Sequence, residues 1–266
     1  MNKSSIRQVI SGVTISALII AIYFFGMYLI GTFIKNAIAA TIVDIVFKIL
    51  IGTLTIIVTK FIIKVERFSY IKKGLLYGIF IYGAMFLAYT ISNLILGYSG
   101  MDRTFMEALP YIILFLFVCI GIGFVEEIIF RGLILNVINK LFVNSKRRDL
   151  WAIILSSVIF GLCHLFNLIA TPNMVISTIT QVLYATIIGA YFAVIYVKTH
   201  NIVAPIILHT LFDYVYYIWW AFSNEAIVRS TIDISVIQGV ISIALYLPIV
   251  IWSILVYKGT FDFDKQ

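Results

Sequence analysis

Away from the ends of its long apolar stretches, the chain carries few ionisable residues: Asp44, Lys48, Glu126, Glu127, Arg131, His164, His209 and Asp213. Their types and spacing restrict the chemistry they can do. Asp44 and Lys48 are four apart, share a helical face and neutralise each other. Glu127 and Arg131 are also four apart, and a buried guanidinium needs such a partner, so this pair reads as a structural strut. Adjacent helical residues point about 100° apart, so Glu126 cannot use the same face. It has no partner on its own helix and needs another element, or a wet cavity, to support its charge. His164 lies on one stripe with Phe160 and Asn167, and His209 shares a face with Asp213. A carboxylate and two imidazoles from three helices make a set for general acid–base work. Glu126, His164, His209 and Asp213 are also the donors that a zinc ion with one open water position would take. The tight local spacing of a strong zinc motif is missing.

These residues are held by a chain that is almost entirely apolar. Of 266 residues 62% are hydrophobic and only 12% are charged. That is about half the charged share of a soluble protein, too little for a water-facing surface. Disorder is excluded as well, because its signature is low hydrophobicity. The apolar runs are continuous rather than alternating, which excludes an outer-membrane barrel. The class is therefore all-α, a polytopic membrane protein, in which a span takes about 20 apolar residues. About eight such spans are expected: 8–34, 38–63, 74–98, 106–140, 150–169, 174–198, 202–222 and 234–257. The first is too long for a secretory signal and reads as a retained helix. The loops are too short for a soluble unit, so 1–266 is a single membrane domain. Cys119 and Cys163 fall in apolar spans and read as small buried residues.

Charge sets the expected orientation. Lys3 and Arg7, the 64–73 stretch, Lys146-Arg147-Arg148, Lys198, and Lys258 with Lys265 make every second connection basic. Basic loops face the cytoplasm, so both termini are expected there. The net charge of +7 follows from this topology and from anionic lipid headgroups. No nucleic-acid partner is called for; the lipid bilayer and a substrate are the expected partners.

The motifs Glu126-Glu127-x-x-x-Arg131, Phe160-x-x-x-His164 and His209-x-x-x-Asp213, in that order on separate spans, resemble those of the CPBP family. These are the CAAX-protease and bacteriocin-processing intramembrane endopeptidases, also called the Abi family. Phe160-Gly-Leu-x-His164-Leu and Asn201-Ile-x-Ala-Pro205 are similar to the surrounding words of that family. The resemblance covers about 108–220, the fourth to seventh spans, and implies a catalytic core there; the first three spans carry no such signal. It implies that Glu126 activates water with help from His164, and that His209 and the residue four further on, Asp213, attend the oxyanion. Glu127, Arg131 and Asn167 are expected as structural support. The eukaryotic prenyl-protein proteases have asparagine where this chain has Asp213. Asparagine can donate a hydrogen bond to an oxyanion, whereas an ionised aspartate cannot.

GxSxG, HExxH and a convincing cysteine–histidine pair are all missing, which leaves water as the nucleophile. The expected activity is hydrolysis of a peptide bond near the membrane. Its form would be CAAX-type, or bacteriocin and peptide processing with self-immunity as a variant. The substrate would be a peptide or membrane protein, and the setting the inner membrane of a bacterium. The reaction is expected to need no metal; if zinc is used, the four donors named above would hold it. Two other classes compete: a non-catalytic membrane regulator, and a proton-coupled transporter using the same Glu, His and Asp. The latter predicts internal repeats, and none is visible. Counting about 1.5 Å per residue from the helix ends sets Glu126 and His164 about 20 Å deep and His209 about 12 Å deep.

Overall fold

The computed structural model describes residues 3–63, 72–96, 102–223 and 233–259. Among these every regular element is a helix. A bilayer demands this, because each backbone N–H and C=O must be satisfied within its own segment. The stretches 64–71, 97–101, 224–232 and 260–266 lie outside the described residues, and much of the expected orientation rests on them.

Helix α1 (Lys3–Phe33) turns into α2 (Ala37–Val58) at Asn36, whose side-chain oxygen accepts from the Ala39 N–H at 2.9 Å. This is the ordinary cap for the exposed amides of a helix start. A π-helical turn, Thr59–Ile63, extends α2. The third expected span is broken: α3 (Lys72–Leu76) and a π-helical turn, Tyr77–Tyr82, meet α4 (Ala84–Leu96) at Gly83 with a bend of 59°. Helix α5 (Phe105–Glu127) starts from a capping box made by Thr104 and Glu107. It continues through a fully buried π-helical turn, Ile128–Ile134, into α6 (Leu135–Leu141). Asn136 steadies that wider turn by donating to the carbonyls of Arg131 at 3.0 Å and Gly132 at 2.8 Å. Then come α7 (Arg148–Cys163), a 3₁₀ turn His164–Phe166, α8 (Asn167–Ala170), α9 (Val175–Thr199), α10 (Val203–Ala221), α11 (Val236–Ala244) and α12 (Leu247–Tyr257).

Two close crossings set the centre of the bundle, α5 against α10 and α7 against α9. Each has a glycine at its contact. A Cβ on Gly123 would lie 2.6 Å from Thr210 Oγ1 and 3.0 Å from the Ile206 carbonyl. A Cβ on Gly161 would lie 2.0 Å from Thr186 Oγ1 and 2.6 Å from the Val182 carbonyl. Gly123 and Gly161 stand three residues before Glu126 and His164, on the same helical face. The sequence thus brings the backbones closest where the candidate chemistry lies. Around this centre Phe86, Phe130, Tyr191 and Phe192 form an aromatic core. The outer surface is apolar too: Phe61 is 74% exposed, which suits lipid and not water.

Six helices are long and apolar enough to cross a membrane, or seven if the pair bent at Gly83 counts as one span, by length and composition among the described residues. The expected count of about eight is not confirmed by this measure. The helix that drops out is α10. Its 19 residues reach across, but His209, Thr210, Asp213 and three tyrosines dilute the apolar run.

Candidate active site

His209 is the hub. The α5–α10 crossing at Gly123 brings its buried ring against the end of α5. Nδ1 lies 2.8 Å from Glu127 Oε1, and the same oxygen lies 2.9 Å from an Arg131 nitrogen. Arg131 is fixed in turn. It donates to the Gly189 carbonyl at 3.0 Å, and its guanidinium lies over Phe160 at 4.6 Å and Phe192 at 5.7 Å. The Glu127–Arg131 strut read from the sequence is present, and Glu127 has a second task that the sequence did not reveal. It orients His209. A carboxylate only accepts, so Nδ1 carries the hydrogen and Nε2 is left to face the cavity. Nε2 is 3.8 Å from Glu126 Oε2 and 3.6 Å from Asp213 Oδ2. One small molecule or one carbonyl oxygen between them can touch both His209 and Glu126.

The depth difference expected between Glu126 and His209 is therefore absent. The apolar rod Phe105–Leu141 has 37 residues, about 55 Å at 1.5 Å per residue. A bilayer core is only about 30 Å thick. Part of that rod projects beyond the apolar layer, so a count from its end overstates the depth of Glu126.

Glu126 was expected to need help from another helix. That help comes from α1: the Tyr23 hydroxyl donates to Glu126 Oε1 at 3.2 Å. Tyr23 is buried and carries no signal in the sequence, where it is one aromatic residue in an apolar helix. Oε2 is left for the cavity. His164 sits where α7 gives way to the 3₁₀ turn, and its Nδ1 is 3.0 Å from the Phe160 carbonyl. A carbonyl only accepts, so here too Nδ1 carries the hydrogen, and Nε2 of the neutral ring is a proton acceptor. Phe160 packs edge-on against both imidazoles, at 5.0 Å from His164 and 6.1 Å from His209. It shares Arg131 with Glu127.

These groups open onto one cavity of about 990 Å³. Glu126, His164, His209, Asp213 and Asn167 all line it; Glu127 and Arg131 stand behind the wall. Asn167 is held by donation to Gln181 at 2.8 Å. Asp44 and Lys48 form the expected ion pair on α2, and they too lie on the cavity wall. Their spacing predicted the pairing but not the location, which depends on how α2 is rotated against α5.

A zinc ion would need three or more of these donors around one point. Among the described residues no three side chains of His, Cys, Asp or Glu stand in an arrangement that would hold a metal. His209 gives Nδ1 to Glu127 and keeps Nε2 towards Glu126 and Asp213, at 3.8 and 3.6 Å.

A helical membrane bundle with a carboxylate and two imidazoles facing a shared cavity has the layout of an intramembrane enzyme. Residues 108–215 match the model of a family described as Type II CAAX prenyl endopeptidase, Rce1-like. The match takes in Glu126, Glu127, Arg131, His164, His209 and Asp213. The match bears out the resemblance that the motifs carry: residues 108–215 are similar to the CAAX-type intramembrane proteases. Comparison with curated proteins and with solved structures gives no match.

Proposed function

We propose that the cavity hydrolyses a peptide bond in a membrane-bound peptide or protein, using a water activated by Glu126 and no metal. The observation that carries this reading is the 3.8 Å approach of His209 Nε2 to Glu126 Oε2 inside the cavity, with each group held from behind. Glu126 Oε2 takes a proton from water as the oxygen attacks the scissile carbonyl. His164 Nε2, an acceptor by its tautomer, holds the same water from the α7 side. The carbonyl oxygen becomes an oxyanion, and His209, protonated at Nε2, donates to it. Collapse of the tetrahedral intermediate breaks the C–N bond, and the proton held by Glu126 passes to the leaving amine, with His164 able to relay it. Asp213 supports the charge on His209 from 3.6 Å. The cavity volume suits a short extended peptide. The setting supported by apolar composition and basic loops is a cell membrane with both termini cytoplasmic.

The test is a cleavage assay in nanodiscs with a fluorogenic peptide, after exhaustive chelation. Chelated protein should cleave at an unchanged rate. His209→Ala should lose about 10²–10³ in rate, the usual loss for an oxyanion donor. Asp213→Asn should keep much of the activity, since His209 retains Glu127. Loss of cleavage on chelation, restored by zinc, would contradict the metal-free mechanism.

A further inference from the structure

Lys48 is not used by this mechanism, yet among the described residues it is the only lysine or arginine on the cavity wall. It is 2% exposed, and its stem lies against Gly121 of α5, with Cδ 3.6 Å from where a Cβ would be. A cation at this depth is costly, and such residues mark function by default. Stability does not account for it, since a buried ion pair contributes about as much as an apolar pair of the same volume. An ammonium has three donors. One goes to Asp44, and the other two have no protein partner among the described residues. Apart from the two histidines, the other ionisable side chains on the wall among the described residues include the acids Asp44, Glu126 and Asp213. Besides His209, which the mechanism reserves for the oxyanion, a negative group entering this cavity has Lys48 as its place to settle.

We propose that Lys48 is a specificity-determining residue that holds a carboxylate of the substrate. This rests on the peptidase reading above. It assigns the lysine its two open donors, leaves Asp44 to hold the ammonium in position, and names an anionic group that the acids of the wall would repel elsewhere. Gly121 precedes Glu126 by five residues on α5, about 7.5 Å along the axis at 1.5 Å per residue. A short extended segment can therefore bridge the anchored carboxylate and the bond under attack.

Binding tests this apart from catalysis. The probe is a fluorescein-labelled ten-residue apolar peptide, made as the free acid and as the C-terminal amide. The protein is Glu126→Gln in nanodiscs, so hydrolysis does not interfere. The acid should bind at least about tenfold tighter than the amide, the factor expected of one charge-assisted hydrogen bond. In Asp44→Asn/Lys48→Met, which leaves no charge unpaired, the ratio should fall to about one. Lys48→Arg should keep it, and Lys48→Gln with Asp44 intact serves if the double variant is poorly folded. Equal binding of acid and amide, or a preference that survives loss of the lysine, overturns the proposal. Failure of protein with Glu126 intact to cleave any peptide would instead count against the peptidase reading.

Discussion

One oxygen of Glu127 meets both Arg131 and His209, at 2.9 and 2.8 Å, so the structural strut and the proposed catalytic set share an atom. Glu127→Leu leaves the guanidinium buried with a single carbonyl and two rings, at a cost of about 3–5 kcal/mol. Glu127→Leu with Arg131→Met removes both charges, and most of the stability should return. Cleavage should stay about 10–100-fold down in the double variant, because His209 has lost the acceptor that fixes its ring. Thermal unfolding and cleavage, measured on the same preparations, separate the two effects; equal and additive stability losses would contradict the pairing. At this scale the pairs four residues apart were legible: Asp44 with Lys48, Glu127 with Arg131 and His209 with Asp213 all meet as spacing dictates. The contacts of Tyr23 with Glu126 and of Glu127 with His209 join residues 103 and 82 positions apart. They depend on the rotation of whole helices, which local spacing does not encode.

Between helices, the glycines control that rotation. Gly123 lets α10 approach until Thr210 and Ile206 touch α5, and the neighbouring His209 is carried in with them. Gly123→Ala should cost about 1–3 kcal/mol through overpacking. It should also lower the cleavage rate by about 10², the usual effect of moving a reacting group by an ångström. A rate unchanged in a folded Gly123→Ala protein would show that His209 does not depend on this crossing. The apolar runs gave the helices with little error, but not their breaks. The bend at Gly83 and the π-helical turn after Glu127 arise where tertiary packing outweighs local preference. Helix α10 shows the opposite case. The polar residues that equip it for the site weaken its signal as a span.

The described residues form an apolar bundle around a polar cavity, with supports placed behind the groups proposed to react rather than in it. Tyr23, Glu127, Arg131 and Phe160 each hold a neighbour that faces the cavity. The same architecture gives two adjacent glutamates opposite fates: Glu127 is sealed in and Glu126 opens to the cavity. Replacing each with glutamine in the intact protein, in nanodiscs, compares them directly. Glu126→Gln keeps the shape and the Tyr23 contact but cannot take a proton from water. It should abolish cleavage of a peptide substrate, by about 10³ or more, with the unfolding temperature unchanged, while Glu127→Gln should lower that temperature. Cleavage that persists in Glu126→Gln would contradict the account at its centre.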